Sequence, residues 1–298
     1  MSNIEWTEAT WNPVIGCTPV SPGCLNCYAA TMARRLEGMG KPEYAPKRIA
    51  PDGTERIGHI AEALEPGTKT VRIAEVRNGR AVFTGEVRTL PDRLDVPLNR
   101  RKPTMYFVNS MSDLFHEDVP VSFIKDVFRV MRECPQHTFQ ILTKRPDRMA
   151  AEAPLQALPN VWLGTSVENQ EQADKRIPHL LRCPAAVRFL SCEPLLGAIR
   201  LPLDHGTNCD EAACEQHRRR LISWVIAGGE SGPGARPCDV AWIRSIVGQC
   251  RDAGVPVFVK QLGRRPVIPA NEPWTCLDRK GGDPAEWPEH LRVREMPR

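Results

Sequence analysis

The sequence predicts an α/β fold, a complete or partial (β/α) TIM-type barrel built as a single domain with insertions. Three observations predict it. Short apolar runs ending in polar residues alternate with amphipathic segments from about residue 104 onward. Charged and polar groups recur at the ends of those runs, where barrels carry their functional side chains. A length of 298 residues suits one large core as well as two average domains.

Six runs show the alternation: Met105 to Val108, Phe139 to Leu142, Val161 to Leu163, Val187 to Leu190, Trp224 to Ala227 and Val255 to Val259. A further strand is expected near Trp11 to Ile15, which brings the count to at least seven. Between the runs, Phe123, Ile124, Val127, Phe128 and Met131 fall on one helical face, as do Trp242, Ile243, Ile246 and Val247. A helix is expected from Tyr28 to Leu36. The barrel is assigned to residues 1–263, with insertions at about 41–100 and 203–221. The first holds β-like runs at Thr70 to Ala74 and Arg80 to Thr84, and residues 264–298 read as an irregular tail packed on the barrel.

The composition is that of a soluble globular chain, 41% hydrophobic and 26% charged, and no apolar run reaches the ~20 residues that span a bilayer. The start, Met1 to Glu8, lacks the basic and apolar regions of a secretory signal, so a cytoplasmic location is expected. A net charge of +4 permits phosphate contacts without demanding them. Eleven cysteines, an odd number, argue against a disulfide framework.

Three of those cysteines, Cys17, Cys24 and Cys27, share one loop with Gly16, Gly23, Pro19 and Pro22. Three thiolates at this spacing read as a metal or cluster site. Structural zinc takes four protein ligands, whereas three thiolates on a four-iron cluster leave one iron open. Zinc with a histidine such as His116 or His137 is the competing assignment.

A three-cysteine loop ending in Cys-x2-Cys, between a first strand and a helix, resembles the radical S-adenosylmethionine (SAM) superfamily. That resemblance implies a [4Fe-4S] cluster on Cys17, Cys24 and Cys27, SAM as cofactor and an external electron donor. The first gap here is six residues where three are usual. The superfamily also uses a Gly-Gly-Glu segment toward the SAM amine, which implies that role for Gly228, Gly229 and Glu230; Phe83-Thr-Gly-Glu86 lies nearer the usual place with one glycine, and a tight strand-to-helix turn is the plain alternative. Across nearly the whole chain, Trp11-Asn-Pro, Val108 to His116, Leu142-Thr-Lys-Arg-Pro146, Phe189 to Leu196, Ala227 to Pro237 and Lys260-Gln261 are similar to the phage-encoded three-Cys-motif family of unknown function.

The strand ends supply the other candidates. Asp113 and His116 could move a proton or hold a ribose, although Asp113 could equally cap a helix. Lys144, beside Arg145, offers a cation to a carboxylate or phosphate, or sits solvated at the rim. Glu168 and Glu193 could bind ribose hydroxyls or the SAM amine, and Arg236 in a Gly/Pro-rich loop could clamp an anion. His205, Cys209, Cys214 and His217 could close a second, zinc site. The expected activity is SAM cleavage to modify or repair a substrate, with nucleic acid or a nucleotide suggested by basic runs at Arg34-Arg35, Arg100 to Lys102 and Arg218 to Arg220. The alternative is a zinc-stabilised binding or regulatory module acting with a co-encoded protein. A metal-dependent hydrolase fits the barrel but lacks histidine-rich strand ends.

Overall fold

Apolar runs of this kind become strands when both faces of a parallel sheet are covered. The structure, a computed structural model, describes residues 4–58, 65–153, 156–203, 222–270, 272 and 274–297. Seven strands form one sheet in chain order: β1 (Ala9–Trp11), β2 (Met105–Val108), β3 (Thr138–Thr143), β4 (Val161–Ser166), β5 (Val187–Cys192), β6 (Trp224–Gly228) and β7 (Val257–Gln261). Every neighbouring pair is parallel. Helices α1 (Tyr28–Gly38), α2 (Val121–Glu133), α3 (Pro146–Glu152), α4 (Gln170–Arg182) and α5 (Val240–Asp252) follow β1, β2, β3, β4 and β6.

Helices α2 to α5 bury their apolar stripes in the main core with the sheet, whereas α1 packs on the hairpin Ala74–Arg77/Arg80–Phe83 of the insertion. Phe123, Ile124, Val127, Phe128 and Met131 of α2 all enter the main core, as their spacing predicts. Asn169 and Asp239 cap α4 and α5 by accepting the amides of Gln172 and Ala241. Among the described residues no helix is long and apolar enough to cross a membrane.

The inner face is filled differently. The Trp6 indole packs against Phe107 of β2, Phe189 of β5 and Trp224 of β6, with centroid distances of 4.8, 6.5 and 6.1 Å. In a flat sheet β2 and β6 would stand about 19 Å apart, four strand spacings of ~4.8 Å. One side chain touches both, so the sheet is curled into a half-barrel. Its edges, β1 and β7, are not paired with each other.

The register stacks the interior in layers. Phe107, Gln140 and Trp162 lie at one level, then Leu142, Gly164, Phe189 and Trp224, then Ser166, Ser191, Ile226 and Phe258. The barrel therefore has an aromatic floor and becomes polar toward the C-terminal strand ends. Both termini help build that floor. Ile4 and Met296 pack against the aromatic cluster, and the Trp224 indole donates to the Glu295 carbonyl at 2.8 Å.

One expectation needs adjustment. The strand foreseen from Trp11 to Ile15 stops at Trp11, because Pro13 has no amide to donate to a ladder; Val14–Ile15 instead pairs antiparallel with Arg88–Thr89. The tail, irregular and packed on the barrel as its composition suggests, also contributes to the core. Its Trp287 and Leu291 are fully buried in the main core, and its backbone bonds the β7 edge through the Val259 amide to the Val293 carbonyl at 2.8 Å.

Gly164 is required by this layering, since a Cβ there would lie 2.5 Å from the Phe189 ring. Gly164→Ala should lower unfolding stability by about 1–3 kcal/mol through overpacking. Phe189→Leu in the same chain should recover part of the loss, as read by denaturant unfolding.

Candidate functional site

Residues 12–27, the cysteine loop, contain no charged side chain. Nothing in the loop itself can fix it by ion pairing, so its placement depends on groups brought from elsewhere. Gly16 turns it after the Val14–Ile15 pairing with φ of +86°, where a Cβ would run into the Glu86 carbonyl. Beyond that turn the loop crosses the C-terminal strand ends and is tied to three of them.

The first tie comes from the end of β3. Arg145 donates through Nη2 to the Thr18 carbonyl at 3.2 Å and through Nη1 to Cys17 Sγ at 3.7 Å. Asp113 steadies this arginine at 3.4 Å while accepting the Thr143 hydroxyl and the Phe115 and Lys144 amides, so both its oxygens are occupied. His116 is buried; its Nδ1 accepts the Asp118 amide, which leaves the ring proton on Nε2 for Thr18 Oγ1 at 2.7 Å. Burial, followed by repulsion from Arg145, pushes the imidazole's pKa down and keeps it neutral at pH 7.

The second tie comes from the end of β4. Glu168 is fully buried, accepts the Gly23 amide at 3.1 Å and pairs with Arg176 of α4 at 2.8 Å. A Cβ on Gly23 would stand 3.0 Å from that carboxylate. Burial alone would raise the pKa of Glu168, but the Ser21 hydroxyl, Arg176, Lys144 and the Gly23 amide outweigh it and hold the group below its ordinary value.

The third tie comes from the end of β6. Glu230 accepts from Arg236 through Nη2 at 2.6 Å and Nε at 3.1 Å, and from the Arg236 amide at 2.9 Å. It also accepts Asn26 Nδ2 at 2.8 Å, while Arg236 Nη1 reaches the Pro22 carbonyl at 2.8 Å. Burial opposes ionisation of Glu230, but Arg236 and Asn26 win and its pKa is lowered. Asp113, Glu168, Glu230 and Arg236 are therefore spent on holding the loop. Gly228 and Gly229 serve close packing: a Cβ would lie 2.7 Å from Glu193 Oε1 at the former and 2.4 Å from the Leu262 carbonyl at the latter.

Beside this loop a second polar set occupies the barrel mouth. Lys144 Nζ donates to Ser166 Oγ at 3.3 Å, and Lys260 pairs with Glu193 at 3.3 Å. The Tyr28 hydroxyl donates to the Ser110 carbonyl at 2.7 Å. Its side chain is 57% exposed, yet the surrounding protein raises the phenol's pKa, first by burial and then through the nearby Cys27.

The cysteines fit thiolate ligation of a cluster in their chemistry. Burial, followed by the charge of Asp113, pushes the Cys17 thiol up to about 12, with Arg145 acting against it. Burial also raises Cys27, opposed by the Ala30 amide, Lys144 and the Ala29 amide at the start of α1. An arginine, a lysine and helix-start amides are thus ready to meet an anionic sulfur group. Among the described residues no three His, Cys, Asp or Glu side chains are grouped to hold one metal ion. Zinc at 2.3 Å from each sulfur would need the sulfurs about 3.8 Å apart, whereas a cubane takes each cysteine on a different iron. The histidines considered for zinc stand badly for it: both ring nitrogens of His116 are engaged, and His137 packs edge-on to the stacked Tyr106 and Phe139 rings at the N-terminal end of β3. Cys209 and Cys214, with His205 and His217, lie outside the described residues.

The profile of the family described as "Protein of unknown function (DUF5131)" matches residues 1–272, which include the cysteine loop, all seven strands and every anchor. The chain belongs to this family. No curated protein and no solved structure gives a match. The family description assigns no chemistry, so the functional reading rests on the site.

The strand-end signal located these residues but could not separate anchors from mouth residues. Asn26 and Arg145, two of the principal anchors, carry little sequence signal because their partners lie up to 204 residues away.

Removing the Arg176 cation should destabilise the protein strongly. Arg176→Met strands a buried carboxylate and should cost about 3–5 kcal/mol at pH 7. Glu168 has a lowered folded-state pKa, so its contribution is present above the unfolded value of about 4.3 and is lost as pH falls through the folded value. Denaturant titrations should therefore show the gap between wild type and Arg176→Met shrinking below pH 4.

Proposed function

We propose that this chain is a radical-SAM-type iron–sulfur enzyme, in which Cys17, Cys24 and Cys27 hold a [4Fe-4S] cluster over the mouth of an open TIM-type barrel. The observation that carries the reading is the fixed loop: three thiols on one uncharged segment, tied to the ends of β3, β4 and β6. When bound, such a cluster leaves one iron for SAM and supplies the electron that cleaves it to methionine and a 5′-deoxyadenosyl radical.

The chain's own residues then divide the work. Arg145 donates to Cys17 and would temper the charge of the ligated sulfur. Lys144, Glu193, Lys260 and the Tyr28 hydroxyl, gathered at the strand ends by bonds to Ser166, to one another and to the Ser110 carbonyl, are the groups assigned to SAM and substrate, its carboxylate to a lysine and its amine to Glu193. Asp113 and His116 act through the loop, keeping Arg145 and Thr18 in place. The aromatic floor under the mouth excludes water from that side. The resemblance of the cysteine loop to the radical SAM superfamily supports this cofactor set, and an external donor is needed to reduce the cluster. The substrate class favoured is nucleic acid or nucleotide.

Anaerobic reconstitution with iron and sulfide should give a brown protein that, once reduced, releases 5′-deoxyadenosine from SAM. Cys24→Ala should lose more than about 100-fold of that release, beyond the roughly 10–100-fold that loss of a group merely supporting a metal ligand costs. Glu193→Gln should weaken SAM binding while leaving cluster absorbance unchanged. A protein that takes up only zinc and never cleaves SAM would instead support the binding-module reading.

A further inference from the structure

Two consecutive arginines follow β7, in the run Arg264-Arg265-Pro266-Val267-Ile268. The backbone fixes where they stand. The Arg264 amide donates to the Glu230 carbonyl at 2.8 Å, and the Cys238 amide donates to the Arg265 carbonyl at 3.0 Å. Pro266–Val267 then pairs in parallel with Cys238–Asp239. The segment is therefore bound to the backbone on both sides of Arg236, the arginine of the third tie to the cysteine loop.

Arg264 and Arg265 line one open cleft of about 590 Å³ together with Thr275, Cys276 and Leu277 of the tail. Both arginines are exposed, and among the described residues neither side chain has a hydrogen-bond or ion-pair partner. The carboxylates of the neighbouring segments are engaged elsewhere. Asp239 accepts the Ala241 amide at 2.8 Å, and Glu272 pairs with Arg244 at 2.7 Å. Asp278 accepts the Lys280 and Gly282 amides, and Glu286 accepts those of Leu277 and Asp278. Burial, followed by Glu286, pushes the Cys276 thiol up to about 11, so it is neutral at pH 7. The cleft thus carries two positive charges with no anion set against them.

Its other walls are apolar. Val267 and Ile268 line it, and Val267 is 48% and Leu277 82% exposed. Apolar side chains left open beside two unpaired guanidinium groups match a ligand with an anionic part and an apolar part. The planar fork of arginine suits phosphate oxygens, and the volume falls within the roughly 300–1,000 Å³ of small-molecule sites.

We propose that this cleft binds a small organic phosphate of nucleotide size, with its phosphoryl oxygens on Arg264 and Arg265 and its apolar body against Val267, Ile268 and Leu277. The site is separate from the cluster chemistry and does not rest on the proposed function.

Isothermal titration calorimetry on the full chain without cluster or SAM tests this, with ADP, inorganic pyrophosphate and adenosine as probes. ADP should bind, and each of the other two, lacking one half of the ligand, should bind at least about tenfold more weakly. Arg264→Gln/Arg265→Gln should weaken ADP at least about tenfold, the scale of one lost hydrogen bond between charged groups. Leu277→Ser should weaken ADP and leave pyrophosphate unchanged. Both variants should melt like wild type, because the altered side chains are exposed and unpartnered. Arg132→Gln/Arg251→Gln, in the last turns of α2 and α5 and outside the cleft, should bind ADP like wild type. Absence of ADP binding, an unchanged affinity in the Arg264/Arg265 variant, or an equal loss in the Arg132/Arg251 variant would overturn the proposal. So would pyrophosphate binding as tightly as ADP, which would leave the apolar walls without a role. ADP binding without SAM cleavage would count against the proposed function alone.

Discussion

The buried carboxylate of Glu168, bonded at once to Arg176 and to the Gly23 amide, holds the cysteine loop against the barrel, and the rest of the site depends on that placement. A loop without charges would otherwise be free to move, and three thiols on a moving loop do not preorganise a cluster. Glu168 is affordable in the interior only because its pair and amide donors outweigh its desolvation. Arg145 at one flank and Glu230 with Arg236 at the other use the same logic. The long gap between Cys17 and Cys24 gains a physical meaning here. Its residues Thr18, Pro22 and Gly23 supply the backbone groups that the three strand ends grip.

Barrel curvature supplies the other half of the arrangement. Because the sheet is rolled about Trp6, Phe189 and Trp224, the ends of β3, β4 and β6 converge on one loop. The aromatic floor and the polar mouth are thus coupled: packing below sets the distances above. Gly164 and Gly228 mark the two levels where this coupling is tightest, one under the Phe189 ring and one under the Glu193 carboxylate.

Much of this was legible in the sequence. The six apolar runs are strands, and the one-sided patterns of α2 and α5 match their buried faces. The alternation reads clearly because parallel strands covered on both sides need continuous apolar residues. Strand ends were legible too, since polar residues after such runs have few other places to go. Their roles were not. The radical SAM resemblance implies a SAM-facing Glu230, while its contacts to Arg236 and to Asn26, 204 residues away, carry no signal in the sequence. Periodicity is local and cannot report which distant loop will lie over a strand end. The antiparallel pairing of Val14–Ile15 with Arg88–Thr89 escaped for the same reason, and the small insertion strands were displaced by a few residues because short exposed strands carry little pattern.

The central claim is that the anchored loop holds an iron–sulfur cluster with one iron open to SAM. Electron paramagnetic resonance of the reduced, anaerobically reconstituted chain, recorded with and without SAM, tests it most directly. The account predicts a reduced [4Fe-4S] signal whose g-values shift when SAM is added. A signal indifferent to SAM, or a zinc-loaded protein with no cluster signal, would contradict it.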